Sequence, residues 1–194
     1  MSAEGVFQPR VPEGFEWVVC CDERDYEVFR EFDGTPRRAT WTPVAVRLLR
    51  HDEHGAQLSP AELPWLGSHV LVLTAMAANV LRRDLEPFGE LLPLSCDDAE
   101  LYVYNALRVI DALDEDHAEL VRFSSGRILK IVRHAFRPEA LQDAHVFKIP
   151  QMLRGSIFVT KEIVAAVRSA GLKGTEFEQI WFPEAIGVVG CGDS

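Results

Sequence analysis

Two segments of the chain share one plan, and that plan limits the folds open to it. "HVLVLTAMAANVLRRDLEPFGELLPL" (residues 69–94) and "GSIFVTKEIVAAVRSAGLKGTEFEQIWF" (residues 155–182) each begin with an apolar run that ends at a threonine. Each then passes through a helical pattern, meets glycine and enters a second apolar run. Thr74 and Thr160 suit helix N-caps, because a hydroxyl oxygen can accept a bond from an otherwise unpaired helix N–H. Ala77, Val80, Leu81 and Leu85 form one apolar stripe, and Ile163, Val164, Val167 and Ala170 form another. Gly89 follows the first helix, and Gly171 and Gly174 follow the second. Glu90-Leu91 and Glu176-Phe177 then fall at the same distance from their threonines. Two copies of one structural unit fit this pattern, and so do two instances of a common motif. Neither carries a Gly-rich phosphate loop or a nucleophile elbow, so both read as architecture.

The expected fold class is α+β, with a mainly antiparallel or mixed sheet and a few helices, containing two similar strand-helix-strand units. Right-handed crossovers joining parallel neighbours are the other arrangement open to those units. A length of 194 residues with 47% apolar content suits one domain over residues 1–194. Signals are weakest over residues 1–60, and residues 185–194 read as a flexible tail. Near the N-terminus "EWVVCC" and "YEVFREF" read as short strands or as a strand leading into a helix. "DGTPRRATW" is a turn-rich connector, "PVAVRLLR" a strand, and "HDEHGAQLSPAELP" an exposed loop.

The start of the chain lacks the basic-then-apolar order of a secretory signal. The longest apolar run is shorter than the roughly 20 residues that span a bilayer. A cytoplasmic protein with no membrane partner is expected. The formal charge of −10 argues against direct contact with nucleic acid and favours a basic protein partner. Nothing in the sequence sets the oligomeric state.

The most unusual composition lies between the twin segments. "SCDDAELYVYNALRVIDALDEDHAEL" (residues 95–120) holds Asp97, Asp98, Glu100, Asp111, Asp114, Glu115, Asp116 and Glu119 against the single base Arg108. "LYVYNALRVI" alternates as a strand, with Leu101, Val103, Asn105 and Leu107 on one face and Tyr102, Tyr104, Ala106 and Arg108 on the other. Downstream, Arg122, Arg127, Lys130, Arg133, Arg137, Lys148 and Arg154 outnumber Glu139 and Asp143.

Three roles fit the acidic segment. It can be a solvated face partly paired with those bases. It can be a protein-binding surface that speeds association with a basic partner, with Tyr102 and Tyr104 as anchors if they face outward. Asp111, Asp114 and Asp116 can also offer oxygens to a divalent metal, or the three with His117 can serve a metal-dependent or acid–base enzyme. Their spacing does not match an EF-hand loop.

The remaining candidates for chemistry are sparse. His51 and His54 lie in a Gly-containing loop and read as solvated rather than metal-bound. Cys20, Cys21, Cys96 and Cys191 lack paired metal-ligand spacing and read as reduced thiols, with Cys20 and Cys21 on opposite strand faces. No catalytic residue, metal or cofactor is expected.

Four pieces of the chain carry a family resemblance: "ATWTP", "FGELLPL", "LYVYNALRVIDALDEDHAEL" and "HVFKIPQMLRGSIFVTKEIVAAVRSAGLKGTEFEQIW". In this order they resemble an immunity protein family of bacterial polymorphic-toxin systems, of the myxobacterial type and formerly a domain of unknown function. The last piece is the most specific. The family often has serine where this chain has Thr160, and either hydroxyl can cap a helix. The resemblance implies a cytosolic, non-enzymatic antitoxin that binds and blocks a cognate toxin domain, with nucleases among the toxins. With the acidic segment taken as part of that interface, the expected toxin-binding residues are Asp97, Asp98, Glu100, Tyr102, Tyr104, Asp111, Asp114, Glu115, Asp116 and Glu119.

Overall fold

The twin segments become two copies of one topology. The computed structural model describes residues 5–67 and 70–183, with twelve strands and three α-helices. In chain order these are β1 (Val6–Arg10), β2 (Trp17–Cys20), α1 (Tyr26–Arg30), β3 (Val46–Leu49), β4 (Trp65–Leu66), β5 (Val70–Thr74), α2 (Ala75–Leu85) and β6 (Gly89–Pro93). They continue with β7 (Leu101–Ala106), β8 (Glu119–Arg122), β9 (Ile128–Arg133), β10 (Val146–Phe147), β11 (Phe158–Thr160), α3 (Lys161–Ser169) and β12 (Glu176–Trp181). One sheet has the order β3-β2-β4-β5-β7-β6, a second has β10-β11-β1-β12, and β8 and β9 form a separate hairpin.

β5 and β6 both pair antiparallel with β7, which lies between them. β11 and β12 flank β1 in the same way. Each strand-helix-strand unit is therefore split by an inserted antiparallel strand, and its two strands do not touch. The parallel-neighbour arrangement does not occur, and the mainly antiparallel α+β class does. The likeness extends one strand further, because β4 pairs antiparallel with β5 as β10 does with β11. One insert, β7, follows its unit in sequence, whereas the other, β1, comes from the start of the chain.

Three apolar clusters fill the spaces around these sheets. Leu71, Leu73, Leu91 and Tyr104 of the first sheet, Val146 and Val159 of the second, and the inner faces of α2 and α3 share the central cluster. The helices thus lie between the sheets and contact each other. The outer face of the first sheet, with Val18, Val72, Leu92 and Val103, is covered by Phe29 and Phe32 in and after α1. The outer face of the second, with Val6, Phe147 and Phe158, is covered by residues 110–141. Alternate residues of β5 serve different clusters, which is why "VLVL" is apolar at every position.

Several local expectations need correction. Val80 is 48% exposed, and Ala78 takes its place on the buried face of α2. Ala170 is exposed at the C-cap of α3, whose buried residues are Ile163, Val164 and Val167. Thr74 Oγ1 accepts from the Ala77 N–H at 3.4 Å, but Thr160 makes no cap bond. Its hydroxyl instead donates to the Glu162 carboxylate and lies 3.2 Å from His145 Nδ1.

Gly89 is required by close approach, not by a helix end: a Cβ there would collide with the Asn105 carbonyl and the Tyr104 ring. Of the two readings of "EWVVCC" and "YEVFREF", the strand leading into a helix is the one that occurs, as β2 and α1. Cys20 is buried and Cys21 exposed, as alternation requires, and burial pushes the Cys20 thiol up to about 11. Cys191, His69 and the expected tail at 185–194 lie outside the described residues.

Candidate functional site

Strand β7 runs through the middle of the acidic segment and divides it. A six-residue strand is roughly 17–20 Å long. Asp97, Asp98 and Glu100 precede that strand, whereas Asp111, Asp114, Glu115, Asp116 and Glu119 follow it. Two acidic groups result, at opposite ends of a buried strand.

At the first group, Asp98 meets Arg50 at 3.3 Å. The Tyr102 hydroxyl donates to Glu100 at 2.5 Å, and that carboxylate holds the phenol proton more firmly than usual. Asp97 is exposed.

The second group is largely engaged by its own chain. Asp111 pairs with Arg137 at 3.1 Å, and Glu115 with Arg122 at 2.5 Å. Gln151 Nε2 donates to both carboxylates at 3.0 Å. Arg122 and then Gln151 hold the Glu115 carboxyl below its ordinary value. Asp114 lies 2.8 Å from His117 Nδ1, accepts backbone N–H bonds from Asp116 and His117, and is likewise lowered. Asp114 and His117 thus meet each other, whereas Asp111 is held by Arg137 and Gln151. Among the described residues no group of three His, Cys, Asp or Glu side chains is placed to hold a metal ion.

Tyr104 does not face outward. It is 1% exposed in the central cluster, and its hydroxyl donates to the Leu85 carbonyl at 2.9 Å. Tyr102 is half-buried against the same cluster, with its hydroxyl at the surface group. Both tyrosines lie on the β7 face turned toward α2, so their shared face is correctly read from alternation but points inward.

Two buried polar arrangements were not singled out from sequence. Glu90 is buried beside Asn105 and accepts the backbone N–H groups of Arg37 and Arg38 at 2.8 and 3.3 Å. Asn105 Nδ2 donates to Glu90 and to the Thr35 carbonyl. These bonds fasten the "DGTPRRATW" connector to the edge of the first sheet. Lys148 is 3% exposed and donates to the carbonyls of Leu153 and Gly155 at 3.0 Å, with its ammonium lowered to about 8 by burial. A lone lysine in the apolar run "HVFKIP" is the sequence signal that marks it.

The β8–β9 hairpin differs from every other element. Leu120, Ile128 and Ile131 pack inward, and the ladder contains two irregularities. Glu119 pairs with Arg133 and Leu120 with Ile131, which leaves Val132 out. Val121 pairs with Lys130 and Arg122 with Ile128, which leaves Leu129 out. Leu129 and Val132 are 50% and 49% exposed. With Val121 and Phe123 they make up four of the nine large apolar residues that the described surface exposes, so this one hairpin concentrates them. A groove of about 500 Å³ runs between β9 and the β1–β12 pair.

This hairpin lies in the part of the chain that comparison with known families recognises. Residues 95–181 match the immunity protein family Imm11. The match spans β7 to β12 and contains both acidic groups, the hairpin and the whole second unit. "ATWTP" and "FGELLPL" precede it. No curated protein matches the chain. The Imm11 match supports an immunity function and, with it, a protein partner. Among the described residues no helix is long and apolar enough to cross a membrane.

Proposed function

We propose that the protein is a cytoplasmic antitoxin that binds the toxin domain of a polymorphic-toxin system and occludes its active surface. The Imm11 match over residues 95–181 carries this reading. Occlusion needs a complementary surface and no active site of its own. A nuclease is the toxin class that the charge favours: its surface is basic because it must hold phosphates, and an acidic protein can occupy it. Of the two acidic groups, Asp97 and Asp116 supply exposed carboxylates with no ion-pair partner among the described residues. Asp111 and Glu115 are partly neutralised by Arg137 and Arg122, and Asp114 lies within hydrogen-bonding distance of the His117 ring.

Co-expression with the toxin domain encoded beside the gene tests the proposal. Rescue of growth and a stable complex are expected, whereas failure of both removes the antitoxin reading. Asp97→Lys and Asp116→Lys then probe the two acidic ends separately. The end that faces a basic toxin should lose about 3- to 10-fold in association rate at low salt, and the loss should shrink as salt rises. Equal, salt-independent rates for both variants and the wild type would remove the acidic groups from the interface.

A further inference from the structure

The β8–β9 hairpin carries a polarity opposite to that of the molecule. The whole chain has a formal charge of −10, yet the hairpin holds Arg122, Arg127, Lys130 and Arg133 against Glu119. Arg122 is already taken up by Glu115. Lys130 and Arg133 are exposed and have no ion pair among the described residues, while Arg127 lies over the Phe123 ring with its guanidinium carbon 5.0 Å from the centroid. The groove beside β9 adds Arg10, whose charge is met by Glu178 at 2.6 Å.

We infer that this hairpin and its groove form a docking surface for an acidic, apolar segment of the toxin domain. The inference rests on the antitoxin reading and assigns the partner's chemistry at one face. Leu129 and Val132 are the two β9 residues that the ladder leaves out, and both line the groove. Bulges of this kind re-aim side chains and turn an edge away from further strand pairing. Recognition here therefore runs through side chains: apolar groups against Leu129 and Val132, carboxylates against Lys130 and Arg133. Residues 119–133 thus reserve unpaired cations beside exposed apolar groups, the combination a desolvated, charge-matched contact uses.

A nucleic acid is the poorer occupant. Its charge extends far beyond the hairpin and would meet the field of an acidic protein, whereas the acids of a short protein segment act locally. The protein would then meet its toxin with two charges, acidic around Asp97 or Asp116 and basic at the hairpin. Such a pattern fixes register and rejects toxins of other charge layouts.

Binding kinetics with the purified toxin domain test the assignment, using full-length Leu129→Ser/Val132→Ser, Lys130→Glu/Arg133→Glu and the milder Lys130→Gln/Arg133→Gln. All the altered side chains are exposed, so circular dichroism melts should match the wild type. The apolar pair should weaken binding about tenfold or more through faster dissociation. The charge reversal should weaken it similarly through slower association, with the glutamine pair intermediate. Wild-type binding with unchanged constants for all three variants overturns the docking surface and leaves the antitoxin reading in place. Absence of wild-type binding overturns the antitoxin reading and the toxin as occupant. A dimer in sedimentation that Leu129→Ser/Val132→Ser dissolves would overturn the inference by giving the face to a second copy.

Discussion

An ammonium group taken out of water costs several kcal/mol unless it is well paired, and Lys148 finds two carbonyls but no carboxylate within hydrogen-bonding reach. Its folded value of about 8 lies below the ordinary 10.5, so the folded state releases this proton first. Below pH 8 both states hold it and the burial cost is felt in full. Between about 8 and 10.5 the unfolded chain binds more proton than the folded one, and stability rises with pH. Measured against Lys148→Met at each pH, the wild type should gain up to about 3 kcal/mol across that window. Urea unfolding of both proteins at pH 7.5 and 10.5 checks this, and a constant difference would show that the ammonium is solvated. At this scale the sequence was readable where side chains follow alternation, as with Cys20 and Cys21. It was not readable at Tyr104. Alternation separates the two faces of β7 but cannot say that both are covered, and only the packing of α2 settles where the phenol goes. The reading of the acidic segment as partly paired with the downstream bases holds at Asp111 and Glu115, through Arg137 and Arg122, but a count of charges does not reveal that neutral Gln151 bridges the two carboxylates.

Among elements, the twin helices were legible because their periodicity is local, and both start directly after their threonines. Their glycines serve different ends, which a pattern of residue types cannot distinguish. Gly171 has a φ of +66° at the end of α3, and a methyl group added there would meet nothing within 4 Å. Gly174 has a φ of +98°, and a Cβ there would lie 2.5 Å from Ala61 Cβ and 2.7 Å from the Leu63 carbonyl oxygen. Gly171→Ala should therefore cost about 1 kcal/mol, the ordinary penalty for a left-handed residue. Gly174→Ala should cost about 3 kcal/mol or more, since backbone has to move as well. Thermal melts of the two variants separate the contributions. Equal shifts would mean that the 61–63 segment yields freely and does not anchor the second unit. The hairpin was harder to read. Its bases stood out in the sequence, but the two ladder irregularities that expose Leu129 and Val132 depend on how β8 registers with β9, which no local pattern fixes.

Across the whole molecule, the boundary of the Imm11 match and the boundary of the fold do not coincide. Residues 95–181 contain β7, yet both of its partners, β5 and β6, precede the match. They contain β11 and β12, but the strand between these is β1, at Val6–Arg10. Val6 is fully buried there, between Thr160 and Trp181 in register. Of the pairings between described strands the matched stretch alone keeps β8–β9 and β10–β11, with the single bridges Val109–Lys148 and Leu113–Phe136, and an isolated two-stranded pair is marginal in water. The twin units and the strand at β7 were legible in the sequence, but the insertion of β7 and β1 into those units was not, and β1, from the far end of the chain, leaves no mark near its partners. A fragment of residues 95–181 should accordingly lack cooperative thermal unfolding and show poorly dispersed amide resonances, while the full chain shows both cooperative melting and dispersion. It should also fail to protect cells from the toxin domain. A fragment that melts cooperatively by itself would mean that β1 and β5 stabilise a fold they do not define, and would place the determinants of immunity wholly within residues 95–181.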